Sequence, residues 1–241
     1  MKEGAIERWW INSNIRAFLS KTLINTRQPK FYINSGVAID KKGHHYSERL
    51  VELPFVFRNI RDPPADVLDI GCVESITPIQ LSMLGYRVTG IDIRTYHFKH
   101  QNFEFEKGDF NSHDFKGRTF DVVIDISAIE HFGLHTFSNM ELDMDADKKA
   151  VRKIYDMLKP NGQLILTAPF GLHRVMGSFQ RIYDKKDITD MLKGFRIDTL
   201  EYYLIKGDGS VAKTSERIAE STEYGAKAGE YAVVMINATK A

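Results

Sequence analysis

Cysteine is almost missing from this chain. Cys72 is the only one among 241 residues, so no disulfide can form within the chain and a cysteine-rich zinc site is excluded. Long apolar runs are missing too: no stretch reaches the roughly 18 apolar residues that a membrane-spanning helix requires. Charge of one sign is not in excess. The formal net charge is +1, so no global field draws the molecule to nucleic acid or to a membrane surface, and neither partner is expected. Lys2, Glu3, Glu7 and Arg8 surround a short N-terminal apolar stretch that lacks the continuous core and cleavage site of a secretory signal, so a reducing cytoplasm is the expected setting. Internal repeats and low-complexity tails are absent from the sequence as well.

Hydrophobic residues make up 43% and charged residues 27%, which is enough apolar content for a real core. The length suits one large α/β domain or one domain with appendages. Residues 1–46 read as an aromatic-rich cap segment containing Trp9, Trp10, Phe18, Phe31 and Tyr32, with a helix expected around residues 6–22. Residues 47–241 read as the main domain. Ser47 is placed to cap a helix from Glu48 to Asn59, with Leu50, Leu53, Val56, Phe57 and Ile60 on its expected buried face. Pro54 lies inside that helix and predicts a kink or a late start.

From Asp66 onward strand and helix patterns alternate. Strands are expected at 66–70, 87–92, 103–107, 120–126, 163–168, 195–205 and 230–238, with helices at 75–84, 145–158 and 185–193. This predicts an α/β fold with a doubly wound, mostly parallel seven-stranded sheet. Phe120–Ile126 is nearly continuous in apolar character, as a strand buried on both faces requires. Only about ten residues separate the second strand from the third, too few for a crossover with a full helix, so a turn is expected there. Lys159-Pro160-Asn161-Gly162 is a strong turn signal. Residues 206–229, rich in glycine and charge, read as an insertion that leaves the last strand antiparallel.

The chemistry concentrates in the first β-α-β unit. Val67-Leu68-Asp69-Ile70-Gly71-Cys72 is a buried strand running into a turn, and Val88-Thr89-Gly90-Ile91-Asp92-Ile93 is a second buried strand ending in an acid. Asp92 stands 21 residues after Gly71, the spacing at which a carboxylate at a strand tip accepts hydrogen bonds from ribose hydroxyls. The turn after Asp69 must let backbone N–H groups approach an anionic group.

Further motifs follow in order: Lys107-Gly108-Asp109-Phe110, Phe120-Asp121-Val122-Val123-Ile124 with Ile129-Glu130-His131 downstream, and Leu158-Lys159-Pro160-Asn161-Gly162-Gln163-Leu164. Together these pieces resemble the class I S-adenosylmethionine-dependent methyltransferases over roughly residues 47–240. The resemblance implies S-adenosyl-L-methionine as cofactor. Its implied contacts are Asp69, Gly71, Cys72 and Ser75 around the first turn, Asp92 and Ile93 at the ribose, Asp109 and Phe110 at the adenine, and Asp125, Ile126 and Ser127 at the end of the fourth strand. The chain departs from the family at the turn, where Gly71-Cys72-Val73-Glu74-Ser75 stands in place of Gly-x-Gly-x-Gly. Ser75 is then placed to bond the methionine carboxylate, and Glu74 to meet the ammonium or cap the helix. Cys72 also reads as a small buried hydrophobe.

For catalysis the candidates are His131, His135 and Glu130. A histidine titrates near neutrality and can take a proton from an acceptor hydroxyl, although His131 also reads as a packing residue beneath the cofactor. His173, Arg174, Arg181 and Tyr183 are candidate acceptor contacts, with Tyr183 equally a packing residue. The acids of 140–147 read as helix capping and dipole compensation, and no metal site is expected. The implied reaction is methyl transfer to a small-molecule or sugar hydroxyl or amine, in glycan or natural-product biosynthesis, with the cap segment and the 206–229 insertion as a lid; the oligomeric state is open, a homodimer paired through the aromatic N-terminus being one outcome. The competing readings are nucleic-acid methylation, a scaffold that has lost the cofactor, and a nicotinamide enzyme. Against the first stands Ile126-Ser127-Ala128-Ile129, where base-amine methyltransferases carry Asn/Asp-Pro-Pro-Tyr/Phe.

Overall fold

Apolar residues alternate along the strands with period two, and this alternation sorts them onto the two faces of one sheet. In a computed structural model, residues 38–39, 45–46, 48–134, 142–207, 210–225 and 230–241 are described. The expected helix at 6–22, the aromatic cap residues, Ser47, His135 and the acid at 141 lie outside them. The strands are β1 (Ala38–Ile39), β2 (His45–Tyr46), β3 (Asp66–Ile70), β4 (Arg87–Asp92), β5 (Phe103–Lys107), β6 (Phe120–Ile126), β7 (Leu158–Phe170), β8 (Arg174–Met176), β9 (Gln180–Ile182), β10 (Phe195–Ile205), β11 (Val211–Thr214) and β12 (Tyr231–Lys240). The helices are α1 (Arg49–Asn59), α2 (Thr77–Met83), α3 (Ala146–Met157), α4 (Lys185–Met191) and α5 (Glu216–Glu220), with a 3-10 turn at Cys72–Glu74 and another at Ile129–His131.

The main sheet has the order β11-β10-β12-β7-β6-β3-β4-β5. Strands β5, β4, β3, β6 and β7 are parallel, and β12 runs antiparallel between β7 and β10. The fold class is therefore the expected one, with one correction: the sheet has eight strands. The eighth is β11, which lies inside the 206–229 insertion and pairs antiparallel with β10 along the edge. Val67, Val122, Ile124, Ile165 and Met235 face α1 and α2 through Phe55, Val56 and Leu81. Leu68, Val123, Leu164, Leu166, Val234 and Ile236 face the other way, onto α3 and α4 through Ala150, Val151, Ile154, Ile188 and Met191.

Chain order reverses between β3 and β6, and the carboxyl ends of these two strands open the crevice in which such sheets bind ligands. Two local expectations change. Helix α1 forms through Pro54 without interruption, and its buried residues are Glu52, Phe55 and Val56, whereas Leu50 is exposed. The turn at 159–162 is absorbed into β7 as an irregularity between two stretches paired to β6, with Asn161 in the left-handed region at φ 57°. The connection from β4 to β5 is a turn, as its length requires.

Gly90 shows how closely the first unit packs. A Cβ there would lie 2.7 Å from the Cys72 Sγ and 2.9 Å from the Phe103 ring. Gly90→Ala should therefore destabilise the protein by about 1–3 kcal/mol, as overpacked cores do. Urea denaturation measures it, and a change below about 0.5 kcal/mol would show that Cys72 and Phe103 yield freely.

Candidate functional site

The crevice at the β3/β6 reversal is an open cleft with a cavity of about 110 Å³. Its lining comes from Gly71 after β3, from Asp92, Ile93 and Arg94 at the tip of β4, from Asp109 and Phe110 after β5, and from Ser127, His131 and Phe132 after β6. Arg49 reaches it from the first turn of α1.

At the first turn only Gly71 must be glycine. Its φ is +70° and a Cβ would stand 2.5 Å from the Ala128 Cβ, so the chains leaving β3 and β6 touch at this point. Val73 follows in the 3-10 turn and donates its N–H to Asp92 Oδ2 at 3.0 Å. Ser75 does not face the cleft. Its Oγ accepts from the Thr77 N–H at 3.0 Å and pairs with the Thr77 hydroxyl, so it organises the entry to α2. Cys72 is buried against Gly90, and burial pushes its thiol well above the ordinary range.

Asp92 is already well bonded. Its carboxylate accepts from the N–H groups of Val73 and Arg94, and the Arg94 guanidinium lies across both oxygens at 3.2 Å each. Asp109 lines the cleft with one oxygen committed to the Ser112 N–H and hydroxyl, and Phe110 packs against Phe115 and under Lys153.

Below the cleft lies a group of buried acids. Asp125 accepts from the Ala128 and Ile129 N–H groups through Oδ1, and its Oδ2 has no partner among the described residues. Asp69 Oδ2 and Glu130 Oε2 are likewise buried without partners. Burial and the neighbouring Asp125 push Asp69 up to about 8. Burial pushes Asp125 up to about 7 and lifts Glu130 well above the carboxylate range. Glu52, fully buried, holds Arg49 at 2.6 Å and accepts from the Ser127 and Thr167 hydroxyls, also at 2.6 Å. Arg49 also donates to the Ile126 carbonyl at 3.1 Å. Burial opposes its charge, but Glu52 and Glu48 outweigh this and its pKa rises.

His131 lines the cleft with Nδ1 2.6 Å from the Phe179 carbonyl and its ring edge-on to Phe179. That carbonyl can only accept, so Nδ1 carries the proton and the lone pair of the neutral ring sits on Nε2. Glu130 Oε1 lies 3.8 Å from Nε2. Several expected acceptor contacts stand elsewhere. Arg181 is buried and bonded to backbone carbonyls and Asp147, Tyr183 is buried against Asp147, and His173 is exposed and bonded to Asp187 at 2.6 Å. Of the other expected residues, Gly71, Asp92, Ile93, Asp109, Phe110, Ser127 and His131 share one cleft, whereas Asp69, Cys72, Ser75, Asp125, Ile126 and Glu130 do not line it. Arg49, Glu52 and Arg94 were not expected. The i,i+3 spacing of Arg49 and Glu52 was the available signal, but on a helix next to solvent it reads as a surface pair.

Residues 68–166 match the family model described as a methyltransferase domain. No curated protein matches the chain in sequence. Among solved structures, the 1,6-didemethyltoxoflavin N1-methyltransferase of Burkholderia thailandensis, with its substrate and S-adenosylhomocysteine bound, is 16% identical, with TM-score 0.53 over 80% of this chain and 77% of that one. The N-methyltransferase NodS of Bradyrhizobium japonicum, in complex with S-adenosylhomocysteine, is 13% identical, with TM-score 0.54 over 80% and 87%. The 4+2 cyclase SpnF is 17% identical, with TM-score 0.55 over 92% of each chain. One fold thus serves different chemistries, and it is the domain match that speaks to this one.

The buried acids give the apo protein a distinctive pH response. The unfolded chain releases these protons near pH 4, while folded Asp69 and Asp125 hold theirs to about 8 and about 7. The folded state binds more protons in between, so stability falls as pH rises from about 4 and stops falling only above the folded values. Asp69→Asn should flatten that fall by at least about 1 kcal/mol, some 2–4 °C in Tm at pH 8, read by thermal melts at pH 5 and pH 8. Equal slopes in both proteins would show that Asp69 ionises normally. The methyltransferase-domain match over residues 68–166 covers the strands that build the cleft, and the sheet order and solved neighbours give the chain the class I methyltransferase fold.

Proposed function

We propose that this methyltransferase acts on a small-molecule hydroxyl or amine, with Arg49 anchoring the cofactor and His131 serving the acceptor. The observation that carries the proposal is that a guanidinium, a strand-tip carboxylate and a tautomer-fixed imidazole line one cleft. The residues fit the cofactor on two counts. Arg49 offers a cation to the methionine carboxylate, the task first expected of Ser75. The partnerless Asp69 Oδ2 lies buried beneath the cleft, where an ammonium would supply the missing donor.

S-adenosylmethionine supplies an electrophilic methyl group on its sulfonium. The chain's residues orient the reactants and handle the proton. Asp92 would hold the ribose, for which the Arg94 guanidinium would have to leave at least one of its oxygens. Phe110, Ile93 and Asp109, which line the same cleft, would hold the adenine. His131 takes the acceptor's proton at Nε2, while the Phe179 carbonyl holds the ring in that tautomer. Glu130, beside Nε2, is the alternative base. The toxoflavin enzyme and NodS both methylate nitrogen by name, which supports an amine or a heterocyclic nitrogen beside the hydroxyl reading. A sugar acceptor and a glycan or natural-product setting remain part of the proposal, as does a lid formed by residues 1–46 and the 206–229 insertion. Among the described residues no helix is long and apolar enough to cross a membrane.

Calorimetry with S-adenosylhomocysteine tests the cofactor geometry. Asp92→Ala should weaken binding at least tenfold, since charged hydrogen bonds contribute about 1.5–3 kcal/mol each. Arg94→Ala should instead tighten it several-fold, because the ribose no longer displaces a bound guanidinium. No wild-type heat at millimolar ligand would defeat the cofactor reading, and weaker binding in Arg94→Ala would make Arg94 a ligand contact.

Once an acceptor screen that follows S-adenosylhomocysteine release has found a substrate, His131→Ala should lower the maximal rate about a hundredfold with cofactor affinity nearly unchanged. A full rate would move the proton to Glu130 or mark the acceptor as an amine that needs no base.

A further inference from the structure

Arg181 combines near-complete burial with four hydrogen bonds to main-chain carbonyls. It lies on β9, on a hairpin packed beside the cleft, with only 4% of its side chain exposed. Nε faces Asp147 Oδ2 at 3.4 Å. One terminal nitrogen donates to the Glu130 carbonyl at 3.3 Å and the Phe132 carbonyl at 2.6 Å. The other donates to the Asp143 and Met144 carbonyls, both at 3.2 Å. The two terminal nitrogens thus make four hydrogen bonds to main-chain carbonyls, and Nε adds an ion pair with Asp147.

These carbonyls belong to two stems. Glu130 and Phe132 flank His131 in the stretch after β6, and that stretch also gives Ser127, Ala128, Gly133 and Leu134 to the wall of the cleft. Asp143 and Met144 lead into α3. The stems meet directly as well: the Asp143 N–H donates to the Gly133 carbonyl at 2.9 Å, and a Cβ on Gly133 would stand 2.1 Å from the Asp143 oxygen. The imidazole itself is tied to Phe179, two residues before Arg181 on the same hairpin. One hairpin thus grips the main chain on both sides of His131 and holds the ring.

We infer that Arg181 is the positioning residue of this site, a buried fork that sets the His131 wall of the cleft by holding two stems of chain together. A lysine keeps the charge beside Asp147 but has only three donors on a single nitrogen, so it cannot bridge both stems. The inference rests on the proposed function for the role of His131, but not for the geometry.

The test compares Arg181→Lys with Asp147→Asn, which removes the charge partner and leaves the four carbonyl contacts. Three readouts are taken on the full chain: Tm, S-adenosylhomocysteine affinity, and the His131 tautomer from imidazole 15N shifts. Arg181→Lys should weaken binding about tenfold and turn the single Nδ1–H tautomer into a mixture. Asp147→Asn should lower Tm while keeping both the affinity and the tautomer. Met235→Ala, a core variant on the other face of the sheet, should lower Tm alone.

If Arg181→Lys keeps wild-type affinity and tautomer, or if Asp147→Asn loses them, Arg181 is only half of a structural ion pair and the inference falls. Should Arg181→Lys fail to fold, Asp147→Asn decides by the same criterion. If wild type binds no S-adenosylhomocysteine, the cofactor reading fails while the tautomer still tests Arg181.

Discussion

The site depends on one buried ion pair. Glu52 is fully buried in α1, and its two oxygens take Arg49 from its own helix, Ser127 from the end of β6 and Thr167 from within β7. A buried pair of this kind adds little net stability, because desolvation offsets most of the attraction. Its effect is on geometry. An ionised Glu52 without Arg49 would be a bare charge in the core, and without the two hydroxyls its remaining lone pairs would be unmet. The helix is therefore held in one rotation, with Glu52 inward and Leu50 outward. In that rotation Arg49 stands over the Ile126 carbonyl at the edge of the cleft.

Arg49 is also the shared counter-charge of the acids beneath it. It lowers the pKa of Glu48, Asp69, Asp125 and Glu130, and in each case burial still wins and the group remains raised. One guanidinium cannot neutralise so many carboxyl groups in a medium of low dielectric, so some of them keep their protons. A ligand carrying an ammonium and a sulfonium brings positive charge to the region that lacks it. S-adenosylmethionine has both, and in the proposed reading its carboxylate would meet Arg49 at the rim, while Arg94 is engaged with Asp92. Of the buried carboxyl oxygens, that of Asp69 is the one for which the proposed cofactor's ammonium would supply a donor.

The sheet was legible because strand signals are local. Continuous apolar runs at β3, β4 and β6 and the short link to β5 needed no knowledge of distant residues. Strand β11 escaped because Val-Ala-Lys-Thr on an edge carries too little apolar alternation to stand out. The buried face of α1 was misread for a physical reason: hydropathy places Leu50 inside and Glu52 outside, and only the polar tips of β6 and β7 reverse this. Arg181 and Tyr183 were expected at the acceptor because they follow β7, but chain order does not show that β8 and β9 fold back and bury them. The motif residues at strand tips came together in one cleft, since a parallel sheet brings all its carboxyl ends to one side. Their individual tasks were not legible, because these depend on partners such as Arg94 and Thr77 that no motif contains.

The altered turn illustrates why a family pattern can change while its geometry persists. Of the three glycine positions only Gly71 has both a positive φ and a neighbour within 2.5 Å, so only there is a side chain excluded. Cys72 fills the space that Gly90 leaves open on β4, and a larger residue would be excluded by the contact that excludes a Cβ at Gly90. Val73 needs only its N–H, which it gives to Asp92 and so holds the ribose-side carboxylate in place from below. Ser75 accepts from the Thr77 N–H and pairs with its hydroxyl at the entry to the next helix. The turn has exchanged close backbone approach for internal bonding. Under the proposed function the anionic end of the ligand would then be held from elsewhere, and the Glu52-locked Arg49, which lines the same cleft, is the group proposed to hold it.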